Sequence, residues 1–155
     1  CLKARQDTHD WMVQETDPDT ILQVAFNLLV EPQLPEDTPV AITHFPRSQA
    51  ALARVCPDDE RVSLRFEIYY CGIELANGYD ELTDADEQRQ RFVDDNIKRR
   101  QLQRPQRTSD EYLLAALKHG MPRCSGVALG FDRLLMIALN KEQISMVMPF
   151  SISNC

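Results

Sequence analysis

Leu64-Arg65-Phe66-Glu67-Ile68-Tyr69-Tyr70-Cys71-Gly72-Ile73-Glu74-Leu75-Ala76 is the stretch on which the fold turns. Leu64, Phe66, Ile68 and Tyr70 alternate with Arg65, Glu67 and Tyr69. That period of two is a β-strand with unlike faces. Cys71-Gly72 suits a two-residue turn, and Ile73-Glu74-Leu75-Ala76 returns as the second strand of a hairpin. In that register Tyr70 stands opposite Ile73, Tyr69 opposite Glu74 and Glu67 opposite Ala76. Glu67 and Glu74 then lie diagonally on one face. Phe66, Ile68, Tyr70, Ile73 and Leu75 make the other face, which reads as the core side. Two carboxylates on one face repel unless a cation joins them. Mg²⁺ held by one or two carboxylates and by substrate phosphates is one answer. Two unconnected glutamates on a solvated face is the other.

Downstream, Asn77-Gly78 is expected to bulge or end the second strand. Asn77, Tyr79 and Glu81 either line a polar pocket for a cationic ligand or belong to an ordinary strand-to-helix loop. Thr83-Asp84-Ala85-Asp86 resembles a capping box opening a polar helix to about Arg104. A second helix is expected from Asp110 to Lys118, stopped by Gly120. Gly126-Val127-Ala128-Leu129-Gly130 reads as a short buried strand feeding a helix from Phe131 to Leu139. Arg133, in the first turn of that helix, opposes the helix dipole. An anionic or π-faced partner explains it, or a salt bridge to Asp132 or a neighbouring helix. The glycine spacing is not G-x-G-x-x-G after a strand, which argues against a dinucleotide fold. The basic stretch Lys98-Arg99-Arg100, with Arg104 and Arg107, reads as a solvated helix end rather than an RNA or protein contact.

Upstream, a helix is expected around Trp11. Another starts at an N-cap, Asp17 or Asp19, and carries Ile21, Leu22, Val24, Ala25, Leu28 and Leu29. Pro32, Pro35 and Pro39 end it. Val40–Thr43 reads as a short strand, Pro46 to Val55 as one or two helical turns, and Cys56–Asp59 as a turn. Strands and helices mix without regular βαβ alternation, so the fold class is α+β with an antiparallel sheet.

The 155 residues, 43% hydrophobic and 26% charged, are expected to form one ordinary domain and are not a disordered or disulfide-scaffold composition. Apolar runs such as Leu134–Leu139 are too short to cross a bilayer, so no membrane partner is expected. No N-terminal segment reads as a signal peptide, and a chain beginning with Cys1 is expected to be a fragment or processed form. A net charge of −7 disfavours non-specific binding to phosphate backbones. Cys1, Cys56, Cys71, Cys124 and Cys155 are odd in number and scattered, which points to free thiols in a reducing, cytoplasmic compartment. His9, His44 and His119 are scattered too, and no zinc site is expected.

Taken together, Arg65-Phe66-Glu67, Gly72 to Ala85, Gln90-Arg91-Phe92 and Gly126 to Arg133 resemble the C-terminal part of a class II aminoacyl-tRNA synthetase catalytic core of the lysyl type. Gly126–Leu134 looks like motif 3. Met121 to Gly130 and Ser48-Gln49-Ala50 are similar to the branch that modifies elongation factor P with β-lysine. The resemblance is strong from about residue 40 onward.

The resemblance implies an antiparallel sheet flanked by helices, and an ATP-dependent ligase that makes an aminoacyl-adenylate. Glu67 and Glu74 would hold Mg²⁺ on the ATP phosphates. Glu74, Leu75 and Gly130 would border the nucleotide, and Arg133 would pack on adenine and reach the γ-phosphate. Glu74 and Arg133 are the implied catalytic residues. Asn77, Tyr79, Glu81 and Ala128 would line the pocket for lysine or β-lysine, with Glu81 meeting the ammonium group. Implied partners are elongation factor P as acceptor and a second copy in a full-length homodimer, with tRNA disfavoured. A lysyl-tRNA synthetase and a non-catalytic synthetase-like interaction domain remain the alternatives. Motifs 1 and 2 are missing, and Arg65-Phe66-Glu67 has only the R-x-E spacing of motif 2. The chain therefore reads as the second half of a catalytic domain, expected to be inactive alone.

Overall fold

A computed structural model describes residues 14–150. The expected helix around Trp11, together with His9, Cys1 and Cys155, falls outside them. Helix α1 is Pro18–Ala25, followed by a π-helical turn Phe26–Val30 and a 3₁₀ turn Glu31–Gln33. Strand β1 is Val40–Pro46, β2 Val55–Cys56, β3 Asp59–Tyr70 and β4 Ile73–Asp80. Helix α2 is Ala85–Gln101 and α3 is Glu111–His119; strand β5, Ser125–Leu129, leads into α4, Phe131–Ala138. The five strands form one sheet in the order β1-β3-β4-β5, with the short β2 antiparallel to β3. This is the α+β class read from the sequence. No helix among the described residues is long and apolar enough to cross a membrane.

Local chemistry accounts for the boundaries. Asp17 caps α1, accepting from Thr20 N at 3.1 Å and Thr20 Oγ1 at 2.8 Å. Asp84 caps α2 through Asp86 N and Glu87 N, and Asp110 caps α3 through Leu113 N. In each case a side-chain oxygen satisfies N–H groups that have no partner within the helix. Helix α2 stops at Gln101, three residues short of the expected Arg104, with Gln103 at φ 54°. Along α1 only Ile21 is buried, while Leu22, Leu28 and Val30 are exposed. Leu28 and Val30 lie in the π turn itself, whose wider spacing departs from the 3.6-residue period of the expected stripe.

The hairpin turn is Cys71-Gly72, with φ of 51° and 68°. Two successive positive φ values are the mark of a type I′ turn, whose twist matches that of the strands it joins. Beyond the turn the structure departs from the alternating pattern. Leu75 and Ala76 are consecutive and both buried. A straight hairpin puts Asn77 on the face away from Glu67, yet Asn77 Nδ2 donates to Glu67 Oε1. The alternation is therefore broken before Asn77, as a β-bulge breaks it. The strand neither ends nor becomes a loop at Asn77-Gly78; it continues to Asp80.

Two burial expectations are corrected. The face of β3 carrying Ser63, Glu67 and Tyr69 is its buried face, and Phe66, Ile68 and Tyr70 are only half-buried. Glu67 and Tyr69 lie inside there as a hydrogen-bonded pair, while the Ser63 hydroxyl is buried without a hydrogen-bond partner among the described residues. Strand β5 is exposed, Val127 at 60% and Leu129 at 52%. It is the last strand in the sheet order, and Val127, Ala128 and Leu129 are all exposed. The stretch Pro46–Val55 holds one 3₁₀ turn, Arg47–Gln49, and Val55 is already strand.

The chain divides into two compact units. One gathers the residues up to Thr43, Phe66–Asn77 and those from Val127 onward; the other is His44–Arg65 with Gly78–Gly126. In the second, α2 and α3 are linked by a bidentate Arg89–Glu111 pair with bonds of 3.0 and 2.9 Å.

Candidate active site

In the first unit the sheet brings Glu67, Tyr69 and Asn77 together. Glu67 is 7% exposed and accepts from Tyr69 Oη at 2.8 Å and from Asn77 Nδ2 at 3.2 Å. Tyr69 is equally buried, with the Phe26 ring tilted against it at 5.8 Å. Burial, then the bond to Glu67, then the charges of Glu67, Glu74 and Glu31 push the Tyr69 phenol well above its usual range. It stays protonated and serves as a fixed donor to the carboxylate. Asn77 Oδ1 is buried and has no hydrogen-bond partner. A buried acceptor left without a donor costs about 1–3 kcal/mol, so it is a place where a donor-bearing ligand gains free energy.

The same unit holds a second group. Arg133 Nη1 donates to the Glu74 carbonyl at 2.8 Å and lies 3.6 Å from the Glu74 carboxylate. Gly130 N donates to the Leu75 carbonyl at 2.8 Å. The anionic partner that explains an arginine in the first turn of α4 is therefore Glu74, on β4, and not Asp132. This clamp fixes α4 to the strand bearing one of the two implied metal ligands. At Gly130 a Cβ would meet Arg133 Cδ at 3.4 Å and Leu75 O at 3.6 Å, ordinary contacts, so this chain's own packing does not require that glycine.

In the second unit the central residue is Glu81. Its backbone bridges Ala53 on one side, and its N–H donates to the Cys124 carbonyl at 3.0 Å on the other. Burial first, and the neighbouring Asp80 charge second, raise its carboxyl above the usual range. No cation among the described residues pairs with it. A Cβ on Gly126 would fall 2.5 Å from Glu81 Oε1, so here the missing side chain makes room for the carboxylate. Beside it, Asp80 accepts from Arg54 at 2.7 Å and Arg123 at 3.2 Å. Burial pushes Asp80 upward, but the two arginines outweigh it and hold this carboxyl below its usual range.

Of the residues singled out from the sequence, Glu67 and Asn77 touch, and Glu74, Leu75, Gly130 and Arg133 form one clamp. Tyr79 is half-buried on β4 and Ala128 is exposed on β5; neither side chain bonds to the others. Tyr69, Asp80, Arg54, Arg123 and Gly126 were not singled out individually, although they shape these clusters. Tyr69 was legible from its i+2 spacing to Glu67; the arginine pair on Asp80 had no local signal.

Both Glu67 and Glu74 offer hard oxygen donors, the kind Mg²⁺ takes in ones and twos when phosphates and water complete its shell. Among the described residues no group of three or more His, Cys, Asp or Glu gathers to hold a metal by protein ligands alone. In ligand chemistry the two carboxylates fit an ion that brings phosphate and water oxygens with it.

Residues 14–154 match the family model of class II tRNA synthetases (D, K and N). Among curated proteins the chain is similar to elongation factor P–(R)-β-lysine ligases. It is 55% identical to that of Pectobacterium carotovorum over 92% of this chain and 44% of the relative. It is 54% identical to that of Edwardsiella ictaluri over 97% and 46%, and 58% to that of Avibacterium paragallinarum over 91% and 44%. The chain spans a little under half the length of these relatives. With an antiparallel sheet, its helices and this coverage, the chain belongs to the class II tRNA synthetase family.

Proposed function

We propose that this chain supplies the motif 3 half of a catalytic domain that activates lysine or β-lysine with ATP and passes it to a lysine of elongation factor P. The observation that carries the reading is Glu81: a partly desolvated carboxylate with raised pKa, braced through its backbone and given no cation by the described residues. A site of that kind is built for an ammonium ligand, whose charge restores what burial took away. Tyr79 on β4 and Glu81 just past its end stand at alternate positions of the same stretch. Ala128 adds one methyl beside the amino-acid backbone and biases the choice between α- and β-amino groups.

The chemistry follows from the charges. The substrate carboxylate attacks the α-phosphate of ATP, an acyl–phosphate bond forms, the α–β bridge breaks, and pyrophosphate leaves. Mg²⁺, when bound, offsets phosphate charge as it develops. Glu67 and Glu74 would hold that ion. Tyr69 keeps Glu67 oriented, and Arg133 braces the backbone at Glu74; its guanidinium would pack on adenine and reach the γ-phosphate. Leu75 and Gly130 border the base. The acceptor is taken from the relatives, which are named for elongation factor P.

The test uses the full-length protein, supplied with elongation factor P and tRNA as competing acceptors and labelled lysine isomers. Glu81→Gln should raise the KM for the amino acid by at least about a hundredfold, as leaving a desolvated charge unmatched costs roughly 3–5 kcal/mol, while the KM for ATP barely moves. Equal loss for both substrates refutes the role of Glu81. Efficient charging of tRNA in place of elongation factor P replaces the proposed acceptor with that of a lysyl-tRNA synthetase.

A further inference from the structure

Helix α2 buries two polar side chains whose partners are the backbone of one short loop. Gln88 is 1% exposed and its Nε2 donates to the Ala51 carbonyl at 3.2 Å. The Arg91 side chain is 9% exposed, and its Nη1 reaches the carbonyls of Ala50 at 3.0 Å, Ala51 at 3.3 Å and Ala53 at 2.6 Å. Its Nη2 donates to Glu87 at 2.7 Å. Burying a guanidinium is expensive, and here Nη1 is spent on main-chain oxygens and Nη2 on a carboxylate, while Nε is buried without a hydrogen-bond partner among the described residues. The side chains of the loop it grips hold nothing by hydrogen bonds: Ala50 and Ala53 are small and fully buried, so the loop is fixed through its backbone.

What that loop does is specific. Arg54 N donates to the Asp80 carbonyl at 2.8 Å, Leu82 N donates to the Leu52 carbonyl at 2.9 Å, and Ala53 bridges Glu81. The loop is thus the backbone brace on one flank of Glu81, with Cys124 on the other. The bonds run from α2 to the loop carbonyls and from the loop backbone to the strand end that carries the carboxylate. We infer that Arg91 and Gln88 are positioning residues for Glu81, holding its carboxylate at the depth and angle an incoming ammonium group requires. Arginine suits this because one planar fork sets Nη1 among the loop carbonyls while Nη2 stays on Glu87, two directions that a lysine ammonium, a single point on a flexible stem, does not cover with the same geometry. Loss of the grip lets the Leu52–Arg54 segment and Glu81 drift together, and small misplacements at a binding carboxylate reduce rate and affinity steeply.

The inference rests on Glu81 being the ammonium acceptor, and the experiment separates the two. In the full-length protein, Arg91→Lys, Gln88→Met and Glu81→Gln are compared by steady-state kinetics with ATP and with (R)-β-lysine varied separately, alongside thermal unfolding. Arg91→Lys and Gln88→Met are expected to raise the KM for (R)-β-lysine about tenfold and leave the KM for ATP within about twofold. Gln88→Met keeps the volume of the side chain and is the variant read if Arg91→Lys does not fold. Placing either change in the Glu81→Gln background should add little further loss, because the group being positioned is already gone. If Glu81→Gln is selective for the amino acid but the α2 variants raise both KM values together or neither, the positioning role is overturned and Glu81 stands. If Glu81→Gln itself is unselective, both fall.

Discussion

Asp80 and Glu81 are adjacent carboxylates whose proton affinities are pushed opposite ways, and the contrast shows what a side chain's neighbours decide. Asp80 meets two guanidinium groups, Glu81 meets none, and burial acts on both. A carboxyl held below its unfolded value contributes stability above the unfolded pKa, and that contribution is lost as pH falls through the folded value. Asp80→Asn in the full-length protein should therefore lower stability by about 2 kcal/mol near neutral pH, the size of a hydrogen bond to a charged group. The difference from wild type should shrink once the pH drops below 3.8, where the unfolded chain protonates at this position. Urea denaturation across that range measures it; a constant gap would show that charge pairing is not its source. Glu81 behaves the other way, since its raised carboxyl costs stability when ionised. A bound ammonium removes that penalty, so amino-acid binding should weaken as pH falls through the raised pKa.

Among the elements, the hairpin was the most legible from sequence and also the one whose detail misled. Alternation over Leu64–Tyr70 and the Cys71-Gly72 turn gave its existence and its turn residues, because both are local signals. The burial of Glu67 was not legible: its placement inside depends on a tyrosine two residues on and an asparagine ten residues on, and no periodicity encodes such a mutual arrangement. The break at Leu75-Ala76 was invisible for a related reason, since two small or aliphatic residues in a row fit a regular strand equally well. Helix starts were readable to within a residue or two, because capping chemistry is confined to three or four residues: Asp17 was one of two candidates, the expected Thr83–Asp86 box resolves to a cap at Asp84, and Asp110 stands at the expected start as its cap. At the turn, Cys71 holds φ 51° despite its Cβ. Asn tolerates that conformation better, and Asn-Gly is the favoured type I′ pair. Cys71→Asn is expected to stabilise the chain by about 0.5 kcal/mol in a denaturant titration, and Gly72→Ala, at φ 68°, to destabilise it by about 1 kcal/mol.

At the level of the whole chain, family membership was readable from sequence because long ordered motifs carry it, while the placement of β5 was not. Its apolar residues looked like core, yet Val127, Leu129 and Phe131 are all more than half exposed. A pattern of side chains tells which residues prefer to be covered and says nothing about what covers them. The chain spans less than half the length of its curated relatives, and the arginine that would contact the α-phosphate belongs, in the resembled family, to motif 2, which the sequence reading does not find here. The 155-residue chain on its own is therefore expected to show no lysine-dependent exchange of pyrophosphate into ATP. Robust exchange by the purified chain would mean that its own arginines suffice for the α-phosphate.

Gly126 places a limit on the order in which this sequence can change. A methyl there would stand 2.5 Å from a carboxylate oxygen of Glu81. Any side chain at 126 therefore requires the Glu81 carboxylate, the far end of a flexible side chain, to turn away from its present place. The two positions are bound into one inheritance: across diverging descendants, a side chain at 126 should travel with a carboxylate at 81 that has been moved or given up, and so with a changed grip on the ammonium ligand.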